Sequence, residues 1–181
     1  QPFIFIRKKN IKISKLVNRA ITRNSYINEQ AGCFISHFTL WEKCIEENTV
    51  FFIFEHDAVI KNTIPENIID GTGFNLMVNI GRPSHGKIYK PAHNGVGLLH
   101  VSRFKGTHAY AVKPDGARQL INIARKKGAD AADTFLNKCT FPFLEELYPW
   151  PVLAQPEFTT MHPTTHKYTH GCCIDEFGNL R

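Results

Sequence analysis

The hydrophobic positions of this chain fall into two periods. Over 31–47, Phe34, Phe38, Trp41, Cys44 and Ile45 recur at i, i+4 and i+7 spacing, which places apolar side chains on one face of a helix. Asn48 supplies the stop. Directly after it, Val50-Phe51-Phe52-Ile53-Phe54 is an unbroken apolar run, the composition of a strand covered on both faces. The same reading predicts strands at 3–6, 74–81, 108–112 and 152–154, and helices at 13–21, 117–127 and 130–138. Pro114-Asp115-Gly116 reads as the turn into the helix at 117–127. The stretch 82–97, with its Pro, Gly and His residues, reads as a long surface loop.

Strands alternating with helices predict an α/β fold with a mainly parallel central sheet flanked by helices. At 181 residues and 43% hydrophobic composition, one domain over 1–181 accounts for the whole chain. No internal repeat or linker composition divides it, and from about residue 159 it becomes a polar, His- and Thr-rich tail. The apolar opening at 3–6 is too short to span a bilayer, so no transmembrane segment is expected. Five cysteines, an odd and scattered set, lack the pattern of a disulfide scaffold and favour a soluble, cytoplasmic protein. A formal charge of +6 favours anionic partners such as nucleotide phosphates, acidic glycolipid or nucleic acid.

Candidate chemistry concentrates where the run 50–54 ends in Glu55-His56-Asp57. Open α/β sheets bind ligands outside the carboxyl ends of their strands. Taken alone, a Glu-x-Asp more often merely ends a strand and caps the next segment.

The surrounding blocks carry more information. Gly32-Cys33-Phe34-Ile35-Ser36-His37 and Ile53-Phe54-Glu55-His56-Asp57-Ala58 are followed in order by Gly106-Thr107-His108-Ala109-Tyr110 and Ala132-Asp133-Thr134-Phe135-Leu136. Together, over roughly 31–156, they resemble the glycosyltransferase family 25 domain of bacterial lipooligosaccharide sugar transferases and collagen galactosyltransferases. The first block is similar to the family's Gly-Cys-x-x-Ser-His pattern, and the second to its Leu-Glu-Asp-Asp-Ala strand end. His56 departs from that pattern, standing where the family usually has the first Asp of its pair.

The resemblance implies a GT-A-like fold, a nucleoside-diphosphate sugar donor, a divalent metal and inverting hexosyl or pentosyl transfer to a saccharide or lipid-linked glycan. Asp57 is the expected metal ligand, since hard carboxylate oxygens suit Mn2+ or Mg2+. His170 is the expected late ligand from the tail, where His162, His166 and His170 precede Cys172 and Cys173. Ser36, His37, Glu55, His56, Gly81 and Tyr110 complete the donor-binding set with Asp57. Asp133 is the expected general base, its alternative being the N-cap of the helix that follows. Two other readings keep the same fold: transfer to a hydroxylated base in DNA, which the basic helices suggest, and a silent binding module in which His56 marks lost activity.

Overall fold

The computed structural model describes residues 27–155. The strand expected at 3–6, the helix at 13–21 and the tail with His162, His166, His170, Cys172 and Cys173 lie outside the described residues.

Helix α1 (Ile27–Glu47) is the element the periodicity predicted, starting four residues earlier than 31. Its apolar face, Phe34, Phe38, Trp41 and Cys44, is buried. Burying each large side chain contributes about 1.5–3 kcal/mol, so this stripe fixes which way the polar residues between them point. After α1 come β1 (Phe51–Phe54), β2 (Ala58–Ile60), α2 (Glu66–Ile69), β3 (Met77–Asn79), β4 (Gly95–Leu98), β5 (Ala109–Val112), α3 (Pro114–Lys127), α4 (Ala132–Phe135), β6 (Glu145–Tyr148) and β7 (Val152–Ala154). Five strands form one sheet in the order β1-β5-β3-β6-β4, while β2 and β7 pair separately.

The sheet is mostly antiparallel, which corrects the expected parallel one. Strand β5 runs antiparallel to both β1 and β3, and β4 antiparallel to β6; only β3 and β6 are parallel. Parallel neighbours require a long crossover, usually helical. Helix α3 lies between β3 and β6 in the chain, but β3, β4 and β5 succeed one another with no helix between them. The observed architecture is therefore mixed α/β.

Three local expectations also change. Strand β1 is at the edge of the sheet among the described residues, and only Ile53 is buried while Phe54 is 41% exposed. The 82–97 loop ends early, because Gly95 already opens β4. Pro114 is the first residue of α3 and not a preceding turn, a position where its missing N–H costs nothing.

One row of cross-strand partners, Ile53, Tyr110, Asn79, Glu146 and Gly97, runs across the whole sheet. Ile53 and Tyr110 join the core beneath α1 and α3 together with Leu120 and Ile121. A second core of Val78, Ile80, Ala109, Ala111 and Leu147 fills the opposite face. Short α4 is held by Phe135, whose ring meets Phe34 edge-on at 5.0 Å and stacks on Trp41 at 5.8 Å. That anchor brings Asp133, two residues earlier, to the side of α1.

Candidate functional site

Glu55 follows β1 directly, and its N–H donates to the carbonyl of His108 at 2.9 Å, extending the β1–β5 pairing by one residue. Alternation along these strands puts Glu55 on the same side as Ile53, and His108 on the same side as Tyr110. Both therefore emerge beneath the N-terminal half of α1. There, Cys33 and His37, four residues apart, share one helix face.

Glu55 Oε1 is the hub. It accepts from Thr107 Oγ1 at 2.5 Å, lies 3.1 Å from His37 Nε2 and receives the Cys33 thiol at 3.9 Å. Behind it, His37 Nδ1 is 2.8 Å from Tyr110 Oη, which accepts from Trp41 Nε1 at 2.9 Å. The network is fully used when Tyr110 O–H donates to Nδ1 and Nε2–H donates to Glu55, a proton placement assigned from the partners. Burial alone would raise the Glu55 pKa, but the hydrogen bonds from His37 and Thr107 outweigh it and hold the group below its ordinary value. Burial, reinforced by the Glu55, Asp133 and Asp57 carboxylates, pushes the Cys33 thiol up to about 12.

Asp57 sits two residues on, at the turn into β2, where its carbonyl accepts from Gln155 N–H at 2.8 Å. Its side chain is buried, and Oδ1 has no hydrogen-bond partner among the described residues. His108 is buried beside it, with the Val152 backbone near its ring but no well-formed hydrogen bond to either ring nitrogen among the described residues. Burial lowers the His108 pKa, against the opposing pull of Asp57 and Glu55. Unpaired buried polar atoms are costly and call for a partner.

Gly81 provides the floor for His108. A Cβ there would come within 2.5 Å of His108 Nε2, so only glycine leaves room for the ring. Asn79 holds this backbone on both sides, donating to Gly81 O at 2.9 Å and accepting from Gly81 N at 3.1 Å.

On the far side, Asp133 Oδ2 lies 3.6 Å from His85 Nε2. Asp133 does not cap α4: the N-cap position is Ala131, and Asp133 falls within the first turn. Arg103 reaches the same helix through Thr134 at 3.0 Å.

The expected residues thus divide. Glu55, His37, Asp57 and Asp133 converge around Cys33, and Gly81 supports the same place through His108. Tyr110 is fully buried and braces His37 from behind. Ser36 lies well inside α1 and returns its hydroxyl to the Gly32 carbonyl at 2.9 Å, so it is neither helix cap nor free donor. His56 is exposed at the turn. His108, Thr107, Cys33 and His85 are members of the cluster that residue-type reasoning did not single out. His108 opens the predicted strand 108–112 and Thr107 directly precedes it, and that adjacency to Tyr110 was the available signal.

A strand end carrying one half-buried and one buried carboxylate, with His37 and His108 alongside, offers acceptor atoms to a cation or a polar ligand. The chain matches the model of glycosyltransferase family 25 (LPS biosynthesis protein) over residues 5–75. This segment holds the first two sequence blocks, with Cys33, His37, Glu55 and Asp57, and points to a glycosyltransferase. The later blocks with His108 and Asp133 lie beyond the matched residues. No curated protein matches the chain significantly. None of the described helices is long and apolar enough to cross a membrane.

Proposed function

We propose that this protein transfers a sugar, with inversion, from a nucleoside-diphosphate donor to a hydroxyl of a saccharide or lipid-linked glycan. The observation that carries the reading is the buried Asp57 Oδ1, which has no partner among the described residues and lies with Glu55 inside the segment that matches the family, with His108 beside it from outside that segment. A hard carboxylate oxygen in that position fits Mn2+ or Mg2+. When bound, such an ion supplies charge neutralisation for the departing diphosphate.

The chain's own residues account for the remaining tasks. Glu55, kept ionised by His37 and Thr107, orients polar groups of the donor, and His108 offers a ring nitrogen to a phosphate or ribose oxygen. Asp133 is the general base for the acceptor hydroxyl, with His85 beside it at 3.6 Å to steady the carboxylate. The glycan acceptor is favoured over DNA because the matched family is described by LPS biosynthesis. A cytoplasmic location belongs to the same reading, in keeping with the half-buried thiol of Cys33 and the buried thiol of Cys44.

Calorimetric titration of nucleoside-diphosphate sugars with and without Mn2+ tests the reading. Metal-dependent binding with slow donor hydrolysis is expected; no donor binding in either condition overturns it. Asp57→Ala should abolish metal-dependent binding, whereas Asp133→Ala should leave binding intact and lower turnover.

A further inference from the structure

Cys33, His37 and Glu55 present a thiol, an imidazole nitrogen and a carboxylate oxygen that all lie within 4.8 Å of one another. It is the one such trio among the described residues. We propose that this trio is a transition-metal site of zinc type, separate from the hard-cation position at Asp57.

The geometry is close to what such an ion requires. With zinc bonds of about 2.0–2.3 Å, tetrahedral ligand atoms stand about 3.3–3.7 Å apart. His37 Nε2 and Glu55 Oε1 are 3.1 Å apart, and Cys33 Sγ and Glu55 Oε1 are 3.9 Å apart. Small side-chain shifts would bring both to the ideal value. Cys33 and His37 come from successive turns of one rigid helix, and Glu55 from the end of a strand, so little ordering remains to be done on binding. Three protein ligands leave a fourth position open, the arrangement of sites that bind water or substrate.

The supporting shell is also present. Metal-ligating histidines give their other nitrogen to a fixed partner, and Tyr110 Oη stands 2.8 Å from His37 Nδ1. Thr107 Oγ1 donates to Glu55 Oε1 itself at 2.5 Å, fixing the ligating oxygen while leaving it a second lone pair for the ion. Without metal, the proton on His37 Nε2 bridges to Glu55. With metal, that proton moves to Nδ1 and the ion takes its place, so the imidazole stays neutral. The Cys33 thiol proton is released to solvent as the sulfur–metal bond forms. Glu55, Asp57 and Asp133, which disfavour a bare thiolate at Cys33, favour a dication at the same point. Softness separates the two positions: thiolate and imidazole select zinc or cobalt, and Asp57 oxygen selects magnesium or manganese.

The test uses cobalt chloride as the probe on the full chain carrying Cys139→Ser, Cys172→Ser and Cys173→Ser, which leaves Cys33 and the buried Cys44 as its two cysteines. One equivalent of Co2+ should produce a near-ultraviolet thiolate-to-cobalt band with the visible bands of four-coordinate cobalt, and zinc should displace it. Cys33→Ser should abolish the thiolate band, and Glu55→Gln should weaken binding at least tenfold while far-UV circular dichroism shows the fold retained. Tyr110→Phe, acting through His37, should weaken it about 10–100-fold. Absence of the band in the parent, or its persistence in Cys33→Ser, overturns the proposal. Because the metal is used alone, the outcome is independent of whether a sugar nucleotide binds.

Discussion

Two buried carboxylates on neighbouring parts of the molecule have opposite circumstances. Glu145, on β6, is 7% exposed and fully engaged: its two oxygens accept from Asn75 N and Nδ2, both at 2.7 Å. Asp57, at the turn after β1, is 9% exposed, yet Oδ1 faces no donor among the described residues. Burial is nearly equal, so exposure does not distinguish them. Glu145 ties the segment before β3 to β6, whereas Asp57 retains acceptor capacity that the fold does not use. An ion or ligand is what such capacity suits, and that contrast locates the centre better than the acidic motif alone.

Removing each carboxylate should break the comparison in opposite directions. Glu145→Ala removes both acceptors of Asn75, whose exposure lets water replace part of the loss, and charge-assisted bonds contribute about 1.5–3 kcal/mol each. Chemical denaturation should therefore show a loss of roughly 1.5–3 kcal/mol. Asp57→Ala deletes a charge whose Oδ1 has no partner, and should leave the unfolding midpoint unchanged or raised while donor binding disappears. An equal loss of stability in both variants would show that Asp57 is structural.

The hydroxyl of Tyr110 sharpens the contrast from the core side. Tyr110→Phe leaves Trp41 Nε1 and His37 Nδ1 without their shared partner. An unsatisfied buried group costs about 1–3 kcal/mol, so a loss of that order in thermal unfolding is expected. The same change frees the His37 ring, so any donor or cobalt binding should weaken more than stability alone would explain.

How much of this was legible in the sequence follows from the same residues. Helix α1 was readable because Phe34, Phe38 and Trp41 repeat at a helical period over several turns. Strand β6 was not, because Glu-Glu-Leu-Tyr carries two charges, although both Glu145 and Glu146 are buried. Their partners, Asn75 some seventy positions earlier and His100 forty-six earlier, were invisible to local pattern. Strand direction was likewise hidden, since a period of two is the same in parallel and antiparallel neighbours. The strand end itself was legible, because the apolar run 50–54 stops where β1 closes at Phe54 and Glu55 follows it directly. His108 was read as the first residue of a strand, and its importance comes from Gly81 and Asp57, which only the fold brings beside it.

His108 supplies the smallest effect and the finest test of whether the centre is built to hold an unpaired ring. Burial lowers its folded-state pKa below the ordinary 6.5, despite the nearby Asp57 and Glu55, and His85 opposes its protonation further. The unfolded chain thus binds the proton more readily, so stability must fall as pH drops from about 6.5 toward the lower folded value. His85, also lowered by burial, adds to the same slope. Glu55 acts in a separate window: its stabilisation is present above the unfolded value of 4.5 and is lost as pH falls through the depressed folded one. Measured from pH 7 down through the acid transition, His108→Gln should flatten the slope below the ordinary histidine range without moving the step below pH 4.5. A steeper acid slope in the variant would mean that His108 is protonated in the folded protein and already paired with Asp57. The two carboxylates compared above would then both be structural, and the contrast between them would collapse.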